Sequence, residues 1–444
     1  MNHRTTLVLT ICLAAGPCLA AEPLSLPGAM QRARERAHEV AAAQARKEAA
    51  GERAHQAQGF RWPSVRLEEN FIRTNSPAEV FALELNQERF SFGDFTTSDP
   101  NHPSALNTAI TRAELTLPLY TGGELSARIA QAEAGAKAAE DSATWVGNQA
   151  AFDAAQAYVT LAQAQEYANL LEDSRRTIQA HVEQARNYVE QGMLVRSELL
   201  RAEVELARIE DMLAQARGNT RIAAANLAFR LGADQGAEWQ PATLPSPEAP
   251  RDDLAGWLAS ASGRPDLAAA QSLVHAGEQE VKTRRAAFLP RVGLVARGDL
   301  VDDHVFGHHG DSTAIMAQAS LNLFAGGSDR AAIRAAEWDA KAGREDVARF
   351  GEGVQLEVRQ AWEEVATARA RQATAARAVD AAREAERIVA ERFSTGVVKM
   401  LDLLDAATAR REAETRELVA RAEANTAVLR LALVAGRRPE EALP

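Results

Sequence analysis

The chain has 444 residues, with 50 Lys and Arg against 61 Asp and Glu and a net charge of −11. No basic stripe stands ready to neutralise phosphates, which disfavours a nucleic-acid partner. Both cysteines, Cys12 and Cys18, fall within the first twenty residues, and beyond them no apolar run reaches the length of a bilayer-crossing helix. The mature chain therefore has no disulfide framework, and only strands could carry it through a membrane.

Residues 1–20 read as a secretory signal peptide: Arg4 supplies the basic start, residues 7–15 the apolar core and Ala20 the small residue at the cut. Cleavage there removes Arg4 and leaves a net charge of −12. Lipidation at Cys18 is the rival reading, but Pro17 stands where a small residue should precede a lipidated cysteine, so the chain reads as not lipidated.

The mature sequence contains itself twice. Leu119-Tyr120-Thr121-Gly122-Gly123 returns 204 residues later as Leu323-Phe324-Ala325-Gly326-Gly327, Gly192 returns as Gly396, and Leu231-Gly232 as Ala435-Gly436. Ahead of these, residues 39–44 and 63–65 return 227 later at 266–271 and 290–292, so the first copy carries a loop 23 residues longer. Such a chain is an architectural element rather than a globular enzyme with one site.

In chain order, the first copy spans residues 21–232. It opens with a helix over residues 26–59 and continues with a β-hairpin over about 63–120. Ala113, Leu115, Leu117 and Leu119 alternate there with Arg112, Glu114, Thr116 and Pro118, one face apolar and the other polar. A long helix follows over 123–191, where Phe152, Ala155, Val159 and Ala162, then Ile178, Val182, Ala185 and Val189, step by three and four. At 1.5 Å per residue it is on the order of 100 Å long. A tip at Gly192 and a return helix to 231 complete the copy. Residues 233–264, rich in Pro and acidic residues between 233 and 253, read as a connector.

The second copy spans 265–436, with a helix over 266–287, a hairpin over about 290–324, a long helix over 327–395, a tip at Gly396, a return helix to 435, and a tail at 437–444. In its hairpin Ile315, Ala317, Ala319, Leu321 and Leu323 form the apolar alternation. In each copy the short and return helices could stack end to end and roughly match the long helix in length. Four strands cannot close a barrel and open edges are not tolerated in lipid, so closure needs several chains. Phe71, Phe81, Phe90, Phe92 and Phe95 crowd the longer first loop, as an interfacial belt or as loop packing.

Several fragments in this order and spacing carry a family resemblance: Arg264-Pro265-Asp266-Leu267, then Ala286-Ala287-Phe288-Leu289-Pro290, the Gly122-Gly123 and Gly326-Gly327 joints, and the tips from Gly192 to Leu200 and from Gly396 to Ala406. The chain resembles the TolC-type outer-membrane efflux proteins over essentially its whole mature length. The resemblance implies a mainly α fold with a membrane β-barrel: a homotrimer whose three chains, at four strands each, build a 12-stranded barrel in outer-membrane lipid above a periplasmic α-barrel. It implies a passive duct without catalysis or cofactor, in a Gram-negative outer membrane. A periplasmic adaptor (membrane fusion protein) would dock at the tips and couple the duct to an inner-membrane pump of RND, ABC or MFS type, with specificity supplied by pump and adaptor. The alternative, a periplasmic adaptor or coiled-coil scaffold, would lack the two amphipathic hairpins and the whole-chain repeat. An exported hydrolase would need motifs such as G-x-S-x-G or H-E-x-x-H, which are missing here.

The candidate site lies at the tips. Asp402 and Asp405 share a helix face and match family positions that line the closed periplasmic entrance, where crowded carboxylates attract cations. Carboxylates in a first helical turn also simply favour the positive dipole end. Their first-copy equivalents are Glu198 and Arg201, so an all-acid ring is not dictated. Phe393 and Val398 stand where closed-state polar links in the best-known family member use a tyrosine and an arginine, leaving Ser197, Glu198 and Lys399 as other gating candidates. Gly192 and Gly396 fit tight turns with positive φ; by resemblance the adaptor docks near Met193, Leu194, Val195, Val397 and Val398. Asp302, Asp303, His304, His308, His309 and Asp311 form the one metal-like cluster, in a hairpin loop read as solvated and not as a metal site. The acidic balance predicts a cation-preferring lumen.

Overall fold

The computed structural model describes residues 22–97, 99–234, 239–241, 244, 250 and 252–442. The expected signal peptide, connector residues 235–238, 242–243, 245–249 and 251, and tail residues 443–444 lie outside the described residues.

The elements run β1 (Glu22–Leu24), α1 (Leu26–Arg36), α2 (His38–Gly59), β2 (Ser64–Thr74), α3 (Pro77–Asn86), α4 (Asp94–Thr97), β3 (Leu106–Tyr120), α5 (Glu124–Glu190) and α6 (Arg196–Arg230) in the first copy. Then come β4 (Trp239–Pro241), α7 (Leu254–Ala261), α8 (Pro265–Arg285), β5 (Arg291–Asp302), β6 (Gly310–Ser320), α9 (Ser328–Ser394) and α10 (Met400–Val434). In the long and return helices the two copies agree in length: α5 and α9 each have 67 residues, α6 and α10 each 35.

Two compact units divide the chain. The first takes the described residues of Met1–Ala42, Thr144–Arg264 and Gly353–Pro444. The stripes expected on the long helix are core here: Ala155, Val159 and Ala162 are buried with Met30, Tyr158, Leu227, Trp239 and Leu429 in one cluster, and Phe152 packs against it. Alanines dominate this core, and small side chains let helix axes approach closely. Part of the connector is also structured, since β4 pairs in parallel with β1 and the Tyr158 hydroxyl donates to the Leu24 carbonyl at 2.9 Å.

One expected helix is two. The stretch 26–59 breaks at Ala37, which is extended with φ −61 and ψ 134. The end of α6 packs against this break: Gly232, at φ +62, lies so close that a Cβ there would stand 2.4 Å from the Arg36 carbonyl oxygen. Gly436 makes the matching approach to Arg264, where a Cβ would lie 2.9 Å from its Cγ. Arg264 is 3% exposed, donates to Glu357 at 2.6 Å and to the Val434 carbonyl at 3.1 Å, and lies 4.7 Å from the Trp145 ring centre.

The second unit, Ala43–Ala143 and Pro265–Glu352, holds an antiparallel sheet in the order β2-β3-β5-β6. Register puts Val65 and Leu67 opposite Leu115 and Ala113, these opposite Ala296 and Gly298, and these opposite Ile315 and Thr313, so one face is mostly apolar. Val65, Leu67 and Ile315 are exposed on it. Pro118 has no N–H to give a central strand, and the register shifts beside it, at Leu119. β6 stops at Ser320, short of the expected 324, because β5 begins at its partner Arg291 and leaves residues 321–324 nothing to pair with. The longer first loop contains α3 and α4, and Phe90 meets Phe81 and Phe92 edge-on at 5.1 and 5.8 Å, so these three aromatics pack on one another.

Candidate functional site

Both tips close with the same turn. The Gly192 N–H donates to Val189 O at 3.0 Å and the Met193 N–H to Tyr188 O at 2.8 Å; Gly396 donates to Phe393 O and Val397 to Arg392 O, both at 3.0 Å. This is the Schellman pattern, which needs a left-handed residue after the helix, and the two glycines have φ +73 and +75. The joints likewise use consecutive left-handed glycines, Gly122 and Gly123 at +63 and +83, Gly326 and Gly327 at +61 and +86.

One apolar cluster unites the two tips. Ile178, Val182 and Ala185 of α5 and Ala202 and Ile209 of α6 pack with Phe393 of α9 and Met400, Leu403, Leu404 and Ala407 of α10. Leu194, Leu199 and Val398 pack against it, whereas Met193, Val195 and Val397 are exposed by 62, 64 and 71%. The five apolar tip residues thus split, with Leu194 and Val398 turned to the core and the other three left outside. Phe393 is buried beside Tyr188, ring centres 6.1 Å apart, so its position is filled by aromatic packing.

The charged candidates also separate. Asp402 is exposed at the third residue of α10 and its Oδ2 accepts the Lys399 N–H at 3.0 Å, a helix-capping contact. Asp405, Lys399 and Ser197 are exposed, and Asp405 has no ion pair among the described residues. Glu198 is half-buried, with one carboxylate oxygen shielded from solvent and without a hydrogen-bond partner. No contact joins Glu198 or Ser197 to Asp402 or Lys399 among the described residues.

Sequence reasoning missed the charges buried between helices. Arg411, 6% exposed, donates to Glu205 at 3.1 Å, tying α10 to α6; Arg410 donates to Glu386 at 2.8 Å, tying α10 to α9. His181 on α5 is pushed below its ordinary range by burial, against an opposing pull from Glu386. In the sequence Arg410 and Glu414, at i, i+4, look like an ordinary surface pair, and only the partners on other helices reveal the difference.

The expected solvated loop is partly an ion-pair network. Asp302 is 5% exposed; Arg89 donates to it at 3.0 Å and to Asp303 at 2.7 Å, and the His309 N–H donates to Asp302 at 3.1 Å. Asp302, Asp303 and His304 offer ligand atoms within 4.8 Å of one another, but the Arg89 guanidinium already supplies the compensating charge. The side chains of His308 and His309 do not join this group. Arg89, then His304, hold Asp303 well below the usual carboxylate range, and Asp303 raises His304.

Residues 29–233 and 259–437 match the outer membrane efflux protein family. The outer membrane efflux protein BepC of Brucella suis biovar 1 (strain 1330) is 25% identical over 297 residues, which are 66% of this chain and 64% of that protein. Among solved structures, the outer membrane protein VceC of Vibrio cholerae matches with a TM-score of 0.76 at 20% identity, over 93% of this chain and 96% of its own. The MtrE outer membrane channel of Neisseria gonorrhoeae, in its open state, matches with a TM-score of 0.76 at 19% identity, over 93% and 89%. No helix among the described residues is long and apolar enough to cross a membrane.

Proposed function

The chain belongs to the outer membrane efflux protein family, and from that premise we propose that it is the outer-membrane exit duct of a tripartite efflux or secretion system. The observation that carries this reading is the repeated unit of two strands, a 67-residue helix, a glycine tip and a 35-residue return helix, built on a sheet with one apolar face. An apolar outer face suits lipid and a polar inner face suits water. A four-stranded sheet has two open edges, and three copies joined edge to edge would remove them. The duct catalyses nothing; it gives a solute a wet path, and an inner-membrane pump supplies the work.

The tips are the periplasmic end. Met193, Val195 and Val397 are left exposed in the turns themselves and are the proposed contact for a periplasmic adaptor. Asp405, exposed and without an ion pair among the described residues, is the stronger candidate for an acidic entrance ring, because Asp402 is engaged with the Lys399 N–H. Electron microscopy of the protein extracted from outer membranes in detergent tests the whole reading. A three-fold cylinder with one detergent-covered end and a projecting tunnel on the order of 100 Å is expected from the helix rise; soluble monomers or short globular particles overturn it.

A further inference from the structure

Strand register gathers six charged side chains of the second unit into two neighbouring rows on the polar face of the sheet. Arg66 on β2 stands opposite Glu114 on β3, which stands opposite Arg297 on β5, which stands opposite Ala314 on β6. Two residues farther from the helix joints, Glu68 stands opposite Arg112, Arg112 opposite Asp299, and Asp299 opposite Ser312. The first row carries two positive charges and one negative, the second two negative and one positive. Arg112 grips Asp299 through Nε at 2.7 Å and Nη2 at 3.0 Å, and Arg66 reaches Glu68 at 3.4 Å. The only other charged strand residue of that face, Arg291 at its base, is paired with Glu124 at 2.5 Å.

We propose that these rows form two belts of opposite net charge on the lumenal wall, positive on the helix side and negative on the outer side. They act on charged groups of a solute that touch the wall, not on ions crossing the open lumen; the inference rests on the duct reading above. Two residues of strand separate the belts by about 7 Å, less than the screening length of about 8 Å at physiological salt. Across the lumen their potentials largely cancel, so the wall does not select small ions by sign, although the whole chain carries −11. At contact with the wall a charged group meets a positive belt and then a negative one on its way out. The cation preference expected from net charge is therefore not a property of this part of the duct.

The mature chain has no cysteine of its own, so one introduced thiol reports its local potential. Ser312→Cys and Ala314→Cys sit beside the negative and the positive belt, and Ile315→Cys sits on the apolar face. The full chain in outer-membrane vesicles is treated with cationic and with anionic membrane-impermeant thiosulfonates at low salt. The cationic-to-anionic rate ratio at position 312 is expected to exceed that at 314 by at least about fourfold, the effect of one unit charge about 5 Å away in water. The difference is expected to collapse in 1 M salt, where screening acts within about 3 Å. Adding Arg297→Gln to Ala314→Cys should lower the preference for the anionic reagent there. Equal ratios at 312 and 314, or a ratio at 314 indifferent to Arg297, overturn the belts. If instead 315 reacts and neither 312 nor 314 does, the polar face does not face water and the duct reading itself fails.

Discussion

At the first tip Glu198 has a carboxylate oxygen shielded and without a partner, while at the second its equivalent, Asp402, lies exposed and accepts the Lys399 N–H. The turns beside them match, since both close with a left-handed glycine and the equivalent pair of carbonyl acceptors. The repeat therefore copies the turn, which one residue type in one conformation dictates, and leaves the charge to differ, which the neighbouring helices decide.

Substitutions can break that comparison, beginning with the shared core. Phe393→Ala empties a buried aromatic site touching both tips and should cost about 3–5 kcal/mol, read as a lowered midpoint in thermal or urea unfolding of the detergent-solubilised protein. Among the turn glycines, Gly232→Ala adds a clash to strain, because its Cβ would stand 2.4 Å from Arg36 O; about 2–5 kcal/mol is expected. Gly192→Ala and Gly396→Ala meet no neighbour within 4 Å and should cost only the left-handed strain, about 1–2 kcal/mol.

Smaller effects sharpen the difference between the acids. Asp402→Ala loses a helix cap and should cost about 1 kcal/mol, whereas Glu198→Gln, which replaces a shielded unpaired oxygen without removing a contact, should leave stability unchanged or raised. In bilayer recordings, Asp405→Ala should weaken block by multivalent cations added on the periplasmic side more than Asp402→Ala does; unchanged block in both would remove them from the entrance.

A pH titration separates the tip from the outer loop. The folded protein holds His181 below its ordinary pKa of about 6.5, so the unfolded chain binds the proton more readily; stability is full above that pH and falls as pH drops from it through the lowered value. His181→Gln should flatten that loss. His304 is raised by Asp303, so its contribution is present below about pH 6.5 and disappears as pH rises through its folded value. His304→Gln should remove this opposite slope, in the same unfolding measurement.

Much of this was legible without coordinates. Helix lengths, the tip and joint glycines and the strand alternation follow from local rules of period and conformation, and the stripe through Ala155, Val159 and Ala162 is core as its spacing predicts. The break at Ala37 was not legible, because nothing in the surrounding residues forbids a helix; it coincides with the close approach of Gly232 from the distant α6. The fate of Leu194 and Val398 was equally hidden, since apolar residues in a turn read the same whether they face a neighbour or water.

The sequence by itself determined the repeat, the lengths of the long and return helices and the glycines of the tips and joints, because these depend on residues near in the chain. Only the tertiary structure decided which charges are paired. Arg411 finds Glu205, Arg89 finds Asp302, and Arg66, Glu114 and Arg297 fall into one row through contacts between distant segments. Electrostatic energy depends on separation in space and on burial, and neither is written in the order of residues.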